Sequence, residues 1–251
     1  MRWRRSLLVM MVLPCLGLAL AATCLHANDL PADMLNAELA VKHAEEARLE
    51  KAIATDPANQ ALRFRLGAVL CDLGAAGEAS AIDEALKVFA ALRKEAPHDA
   101  EFLAFYGNAC TIEAKYSFVL TKLSWAHDGF NYLDTAVKDA PDNVTVRVIR
   151  ALNSAQVPGF LGREQTARED FAWIMDRLNT HPQDFSPELL RSIYYYAGEF
   201  ALAHDEPKAV QLLTQAAAIP ASQDDVLAPK IDAFLKTARA KFPAAALAKS
   251  T

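Results

Sequence analysis

A short turn recurs along this chain at near-constant spacing, and it restricts the fold more than any other feature. It reads Asp56-Pro57-Ala58-Asn59, then Pro97-His98-Asp99, Pro141-Asp142-Asn143, Pro182-Gln183-Asp184 and Pro220-Ala221-Ser222. The prolines lie 40, 44, 41 and 38 residues apart. Proline has no N–H, fixes its own φ and disfavours helical geometry in the residue before it, so a helix ends there. Asn, Asp or Ser two residues later accepts a hydrogen bond from the open N–H groups of the next helix. One helix therefore stops and another starts within a few residues, and the two are neighbours in space. Five such turns at a fixed period describe a stack of helical hairpins.

The segments between the turns carry helical apolar stripes. Leu62, Leu66, Leu70 and Leu73 form one, and Ile82, Ala85, Phe89 and Leu92 the next. Leu123, Ala126, Phe130, Leu133 and Val137 share a face, as do Ala167, Phe171, Ile174 and Leu178. Such spacing marks helices that bury one side. Residues 33–55 read as a first helix, with the least regular periodicity of the set. Ser186-Pro187-Glu188 is a helix start, with an N-cap, a proline at the first position and an acid in the first turn. After Pro220, Leu227, Ile231, Phe234, Leu235 and Ala238 make a final stripe whose other side carries Lys230, Asp232, Lys236 and Arg239. A terminal helix with a polar outer face is what a solenoid requires as a cap.

The order Leu66-Gly67, Gly74, Glu84-Ala85-Leu86, Phe89 and Pro97 resembles a tetratricopeptide repeat (TPR). Gly107 takes the glycine position of the next unit, Ala151 that of the following one, and Gly198 lies in the corresponding helix of the last. The resemblance covers roughly residues 33–220 and implies an all-α fold. That fold is a right-handed superhelix (α-solenoid) of about four to five TPR-like hairpins with a C-terminal capping helix. The expected domain spans 28–242, with a flexible tail over 243–251.

The resemblance also implies a concave groove lined by the first helix of each hairpin, holding a peptide or protein. The matching positions include Phe64 and Asp72 in the second unit, Glu101, Asn108 and Thr111 in the third, and Thr145 in the fourth. Phe64 lies off the leucine stripe, where it either faces the groove or packs beneath the helix. The groove positions hold no lysine or arginine, so capture of a C-terminal carboxylate is not expected. The loop Val157-Pro158-Gly159-Phe160-Leu161-Gly162-Arg163 is apolar where loops are normally polar. Phe160 and Arg163 are its candidate binding residues; the other reading tucks Phe160 and Leu161 into the neighbouring unit.

Arg2, Arg4 and Arg5 precede a nearly unbroken apolar run from Leu7 to Ala22, followed by small residues. This is the pattern of a secretory signal peptide over residues 1–27, with cleavage after Ala27, Ala21 or Ala22. Lipidation of Cys24 is a second reading, and membrane attachment is expected only in that case. The formal net charge is −5 and becomes −8 without the three leader arginines. An acidic chain lacks the basic face that nucleic acid needs. Export points to the periplasm. Cys71 and Cys110 are left in the body, either as buried thiols or as a disulfide.

No catalytic chemistry is expected. The six histidines share no metal-ligand spacing, and no phosphate-binding or nucleophile motif is present. Glu169 and Asp170 read as a solvated helix face, and Arg150 as a long stem reaching water or pairing with Glu113. The expected function is a non-enzymatic exported scaffold binding a protein or peptide, without a cofactor, in an envelope transport or assembly system. The alternative is a periplasmic small-molecule binder whose pocket is closed by the extended third repeat and the Pro158–Arg163 loop.

Overall fold

The computed structural model describes residues 32–221 and 225–247. The expected signal peptide and Cys24 lie outside the described residues. Among those described, the chain is a succession of helices: α1 (Ala32–Leu35), α2 (Leu39–Thr55), α3 (Gln60–Ala76), α4 (Ala79–Glu95), α5 (Ala100–Tyr116), α6 (Val119–Asp139), α7 (Val144–Gln156), α8 (Glu164–Thr180), α9 (Pro187–Ala203), α10 (Lys208–Ala218), α11 (Leu227–Lys241) and α12 (Pro243–Leu247). Four hairpins, α3/α4, α5/α6, α7/α8 and α9/α10, pack in sequence. Helix α2 leans on α3 at one end and α11 on α10 at the other.

The first four copies of the recurring turn share one backbone geometry before the proline. The residues before the prolines, Asp56, Ala96, Ala140 and His181, take φ between −140 and −130° and ψ between 64 and 75°. Each donates its N–H to the carbonyl four residues back, closing its helix. Asn59 then caps α3 through Leu62 N–H, Asp99 caps α5 through Glu101 and Phe102 N–H, and Asn143 caps α7 through Val146 N–H. The fourth copy differs. Pro182–Asp184 makes a 3-10 turn, Arg177 holds the Asp184 carboxylate, and Ser186 is the cap.

Small residues lie where the helices of a hairpin cross. A Cβ on Gly67 would sit 2.6 Å from Phe89, and one on Gly198 would sit 2.7 Å from Leu213. The second hairpin crosses most closely: a Cβ on Gly107 would meet the Gly129 carbonyl at 2.8 Å, and one on Gly129 would meet the Gly107 carbonyl at 2.6 Å. Backbone therefore rests on backbone there. Ala151 is fully buried at the equivalent place in the third hairpin.

Both ends depart from expectation. Residues 33–55 are two helices broken at Asn36–Glu38, because the Asn36 carbonyl accepts from Val226 N–H (2.9 Å) instead of continuing a helix. The tail expected to be loose from Pro243 is helical to Leu247, and Ala245 and Ala246 pack on the last core. Helix α11 buries Leu227, Ile231, Leu235 and Ala238 and exposes Lys230, Asp232, Lys236 and Arg239, as a capping helix should. Cys71 and Cys110 are both free and buried. Burial pushes both thiols up, that of Cys110 to about 12.

Candidate functional site on the inner helix layer

The first helices of the hairpins, α3, α5, α7 and α9, pack against one another in order and form the inner layer. That contact consumes most of the expected groove residues. Phe64 is 1% exposed and not a groove aromatic: its ring lies 4.7–6.0 Å from those of Phe89, Phe102 and Phe105. Helix α3 is flanked by α2, α4 and α5, so a residue off its leucine stripe is still covered. Thr145 is likewise buried, at 1% exposure. Buried Glu101 accepts from Asn143 Nδ2 at 2.8 Å, which ties the start of α5 to the cap of α7. Asn153 Nδ2 donates to Asn108 Oδ1 (2.9 Å) and Thr111 Oγ1 (2.5 Å). These polar groups set the register between repeats; Asn108 and Thr111 keep a partly exposed edge.

Asp72 of the expected groove residues lies on α3. It is half-buried, and burial pushes its pKa up to about 6, with Lys42 opposing and Asp33 adding to the rise. Its charge is also felt across the groove by Tyr196 on α9, whose hydroxyl burial pushes up. Three residues further along α9, burial raises the Glu199 carboxyl against the pull of Lys230 and a hydrogen bond from Tyr195.

Between these faces runs the segment Asp33–Ala37. Asp33 binds Arg65 of α3 at 2.7 Å, and Arg65 also holds Glu45 of α2. Met34 packs against the core of the early repeats, while the next residue, Leu35, packs against the core of the late ones. Asn36 is 8% exposed; its Nδ2 donates to Ser192 Oγ at 2.6 Å and its Oδ1 accepts from Tyr196 at 3.4 Å. Ala37 pairs with Asp225 in an antiparallel bridge. Lys42 Nζ donates to the Leu35 carbonyl at 3.3 Å. On the far side, buried Arg191 donates to Asp225 and to the Ala216 and Ile219 carbonyls, fixing the strand-like partner of the segment.

The loop after α7 divides in two. Arg163 turns inward, 9% exposed, donating both terminal nitrogens to Asp134 at 2.8 Å with its guanidinium over Phe130. Leu161 packs beside Phe130 and Ala126. Phe160 points out, 81% exposed. The loop thus docks on α6; a hollow of about 90 Å³ lies among α8, α9 and α10, lined by residues such as Phe171, Met175 and Leu212. Beside Arg163, Asp170 is fully buried rather than solvated, bound by Arg147 (2.8 Å) and Arg150 (2.7 Å). Arg150 also reaches Asp134, not Glu113. Burial opposes the charge on Asp134, but Arg163 and Arg150 hold its carboxyl below the usual range. Phe118, Val119, Leu120 and Leu123 at the start of α6 are half or more exposed, giving the long hairpin an apolar tip.

The segment 33–37 and its partners Ser192, Tyr196 and Asp225 were not legible in the sequence; the irregular periodicity of 33–55 is their one trace. The run Phe118–Leu120 is visible as an apolar start to α6, but nothing in the pattern says that it stays uncovered. Among the described residues, no group of three His, Cys, Asp or Glu could hold a metal, and no helix is long and apolar enough to cross a membrane.

No family model and no curated protein matches the chain. Among solved structures, it is similar to a thermophilic TPR protein of Thermus thermophilus, with 17% identity and a TM-score of 0.57. The alignment covers 88% of this chain and 98% of that one. The paired helices, the small residues at their crossings and this likeness agree that the chain has a TPR-like α-solenoid fold.

Proposed function

We propose that this chain is an exported, non-enzymatic scaffold that holds a protein or peptide segment on its concave face within an envelope transport or assembly system. The TPR-like fold supports a protein-interaction role. The carrying observation is on α9, where Ser192 and Tyr196 hold the carboxamide of Asn36, a residue brought there from the other end of the chain, with the Asp72 charge of α3 acting on Tyr196. A peptide carbonyl and a carboxamide are satisfied there, by Val226 N–H and by Ser192 and Tyr196. Export rests on the arginine-led apolar leader, and the site of action follows from it. The test is affinity capture from an envelope extract with the wild-type chain and Asp72→Arg, which puts a long cation into the groove. A partner retained by the wild type and lost from the variant is expected. No specific partner on either, with the chain folded, overturns the proposal.

A further inference from the structure

The segment Asp33–Ala37 is held as a bound peptide would be. A helix of four residues cannot hold itself in water, where about 12–15 residues are needed for even marginal stability. The shape of α1 is therefore imposed by what surrounds it. Its contacts come from residues far along the chain: Ser192 and Tyr196 stand 156 and 160 positions from Asn36. One backbone pair (Val226 N–H to the Asn36 carbonyl) supplies the main-chain recognition. The Asn36 carboxamide supplies the side-chain recognition, using a donor and an acceptor at once. Met34 and Leu35 enter two different apolar clusters, one from each end of the solenoid. On the α9 side, Asp225 is held by Arg191 and caps Leu227 N–H through bonds that do not involve the segment.

We propose that the concave face is a binding site for a short peptide carrying an aliphatic pair followed by a carboxamide residue, and that Met34-Leu35-Asn36 is its resident occupant. This rests on the peptide-scaffold reading above and names the partner's chemistry. An incoming peptide takes the place of Asn36 between Ser192 and Tyr196, and the segment swings out about Glu38, the exposed extended residue that precedes α2. Occupancy in cis lowers the apparent affinity for any peptide in trans by the fraction of molecules that are open.

The test uses a fluorescein-labelled peptide of residues 30–38 and fluorescence anisotropy. The proteins are the full wild-type chain, a Met34→Ser/Leu35→Ser/Asn36→Ala chain, and Asn36→Asp, which replaces the donor to Ser192 Oγ by an anionic oxygen, while the Ser192 hydroxyl stays on the Glu188 carbonyl, without removing apolar contacts. Both variants should bind the peptide about tenfold or more tightly than the wild type, and a peptide bearing Asn36→Ala should bind about tenfold more weakly. Circular dichroism checks that each chain is folded, and Asn36→Asp decides the matter if the triple variant is not. Equal binding by all three chains overturns the resident-occupant proposal and leaves the concave face as a peptide site. No binding by any chain overturns the proposal, and the scaffold reading falls with it only if envelope capture also fails. A concentration-dependent wild-type dimer dissolved by the peptide would place the segment in a second copy and overturn occupancy in cis.

Discussion

Phe64→Ala separates a binding residue from a core residue. The ring is 1% exposed and lies within 6.0 Å of three other phenylalanine rings. Burying a phenylalanine removes about 150–250 Å² from water, worth about 4–6 kcal/mol at ~25 cal/mol per Å². The alanine retains part of that, while the cavity and the lost edge-on ring contacts add to the loss. The net expectation is about 4 kcal/mol, within the range found for buried aromatic truncations. For a chain of this size that lowers the melting temperature by roughly 8–16 °C. Urea unfolding followed by circular dichroism measures it. In a solenoid the loss falls on the α3–α5 region, so the early repeats should melt first and the transition should broaden. A midpoint within about 1 kcal/mol of the wild type would refute the reasoning, because it would mean that Phe64 is solvated and free to meet a partner.

Four further outcomes are expected. Gly129→Ala places a methyl 2.6 Å from the Gly107 carbonyl, which cannot retreat, so it should cost about 2 kcal/mol in urea despite the better helix propensity of alanine. Asp170→Asn leaves Arg147 and Arg150 facing a neutral amide in a buried site and should lose about 3–5 kcal/mol, whereas a surface carboxylate would lose almost nothing. The Asp72 carboxyl is raised from 3.8 to about 6, so the native state binds its proton more tightly than the unfolded chain does. Its stabilisation is present below about pH 4 and is lost as pH rises to about 6; a shift of about 2 units is ~3 kcal/mol, reduced to about 1–2 by partial exposure. Asp72→Asn should therefore be the more stable chain at pH 7 and flatten the urea midpoint between about pH 4.5 and pH 7. Phe160→Ser and Leu120→Ser, both highly exposed, should change stability by less than about 0.5 kcal/mol while lowering the binding of an apolar dye.

The same site shows what could be read in advance and what could not. The repeat frame locates Gly67, Gly107, Ala151 and Gly198 at helix crossings, and it puts Asp72 on the inner layer. It cannot say that Glu101, Asn108 and Thr111 are taken up by Asn143 and Asn153 from the following repeat. A helical stripe marks one buried face relative to one neighbour; an inner helix of a solenoid has several neighbours, and the number is a property of the stack. Asp170 escapes the pattern for a related reason: a carboxylate beside Glu169 looks solvated until two arginines from α7 are brought over it.

By itself the sequence determined the elements and their order. Proline, cap and small residue act within a few positions of themselves, so five copies of one turn write out the hairpins directly. The tertiary structure alone decided which surface is open. Asn36 and Ser192 meet only because four hairpins curve far enough to bring α9 opposite α3, and no local pattern carries a pairing across 156 residues. The small packing rotation at each repeat accumulates into that meeting, and it is the sum, not any one repeat, that puts a segment of the chain into its own groove.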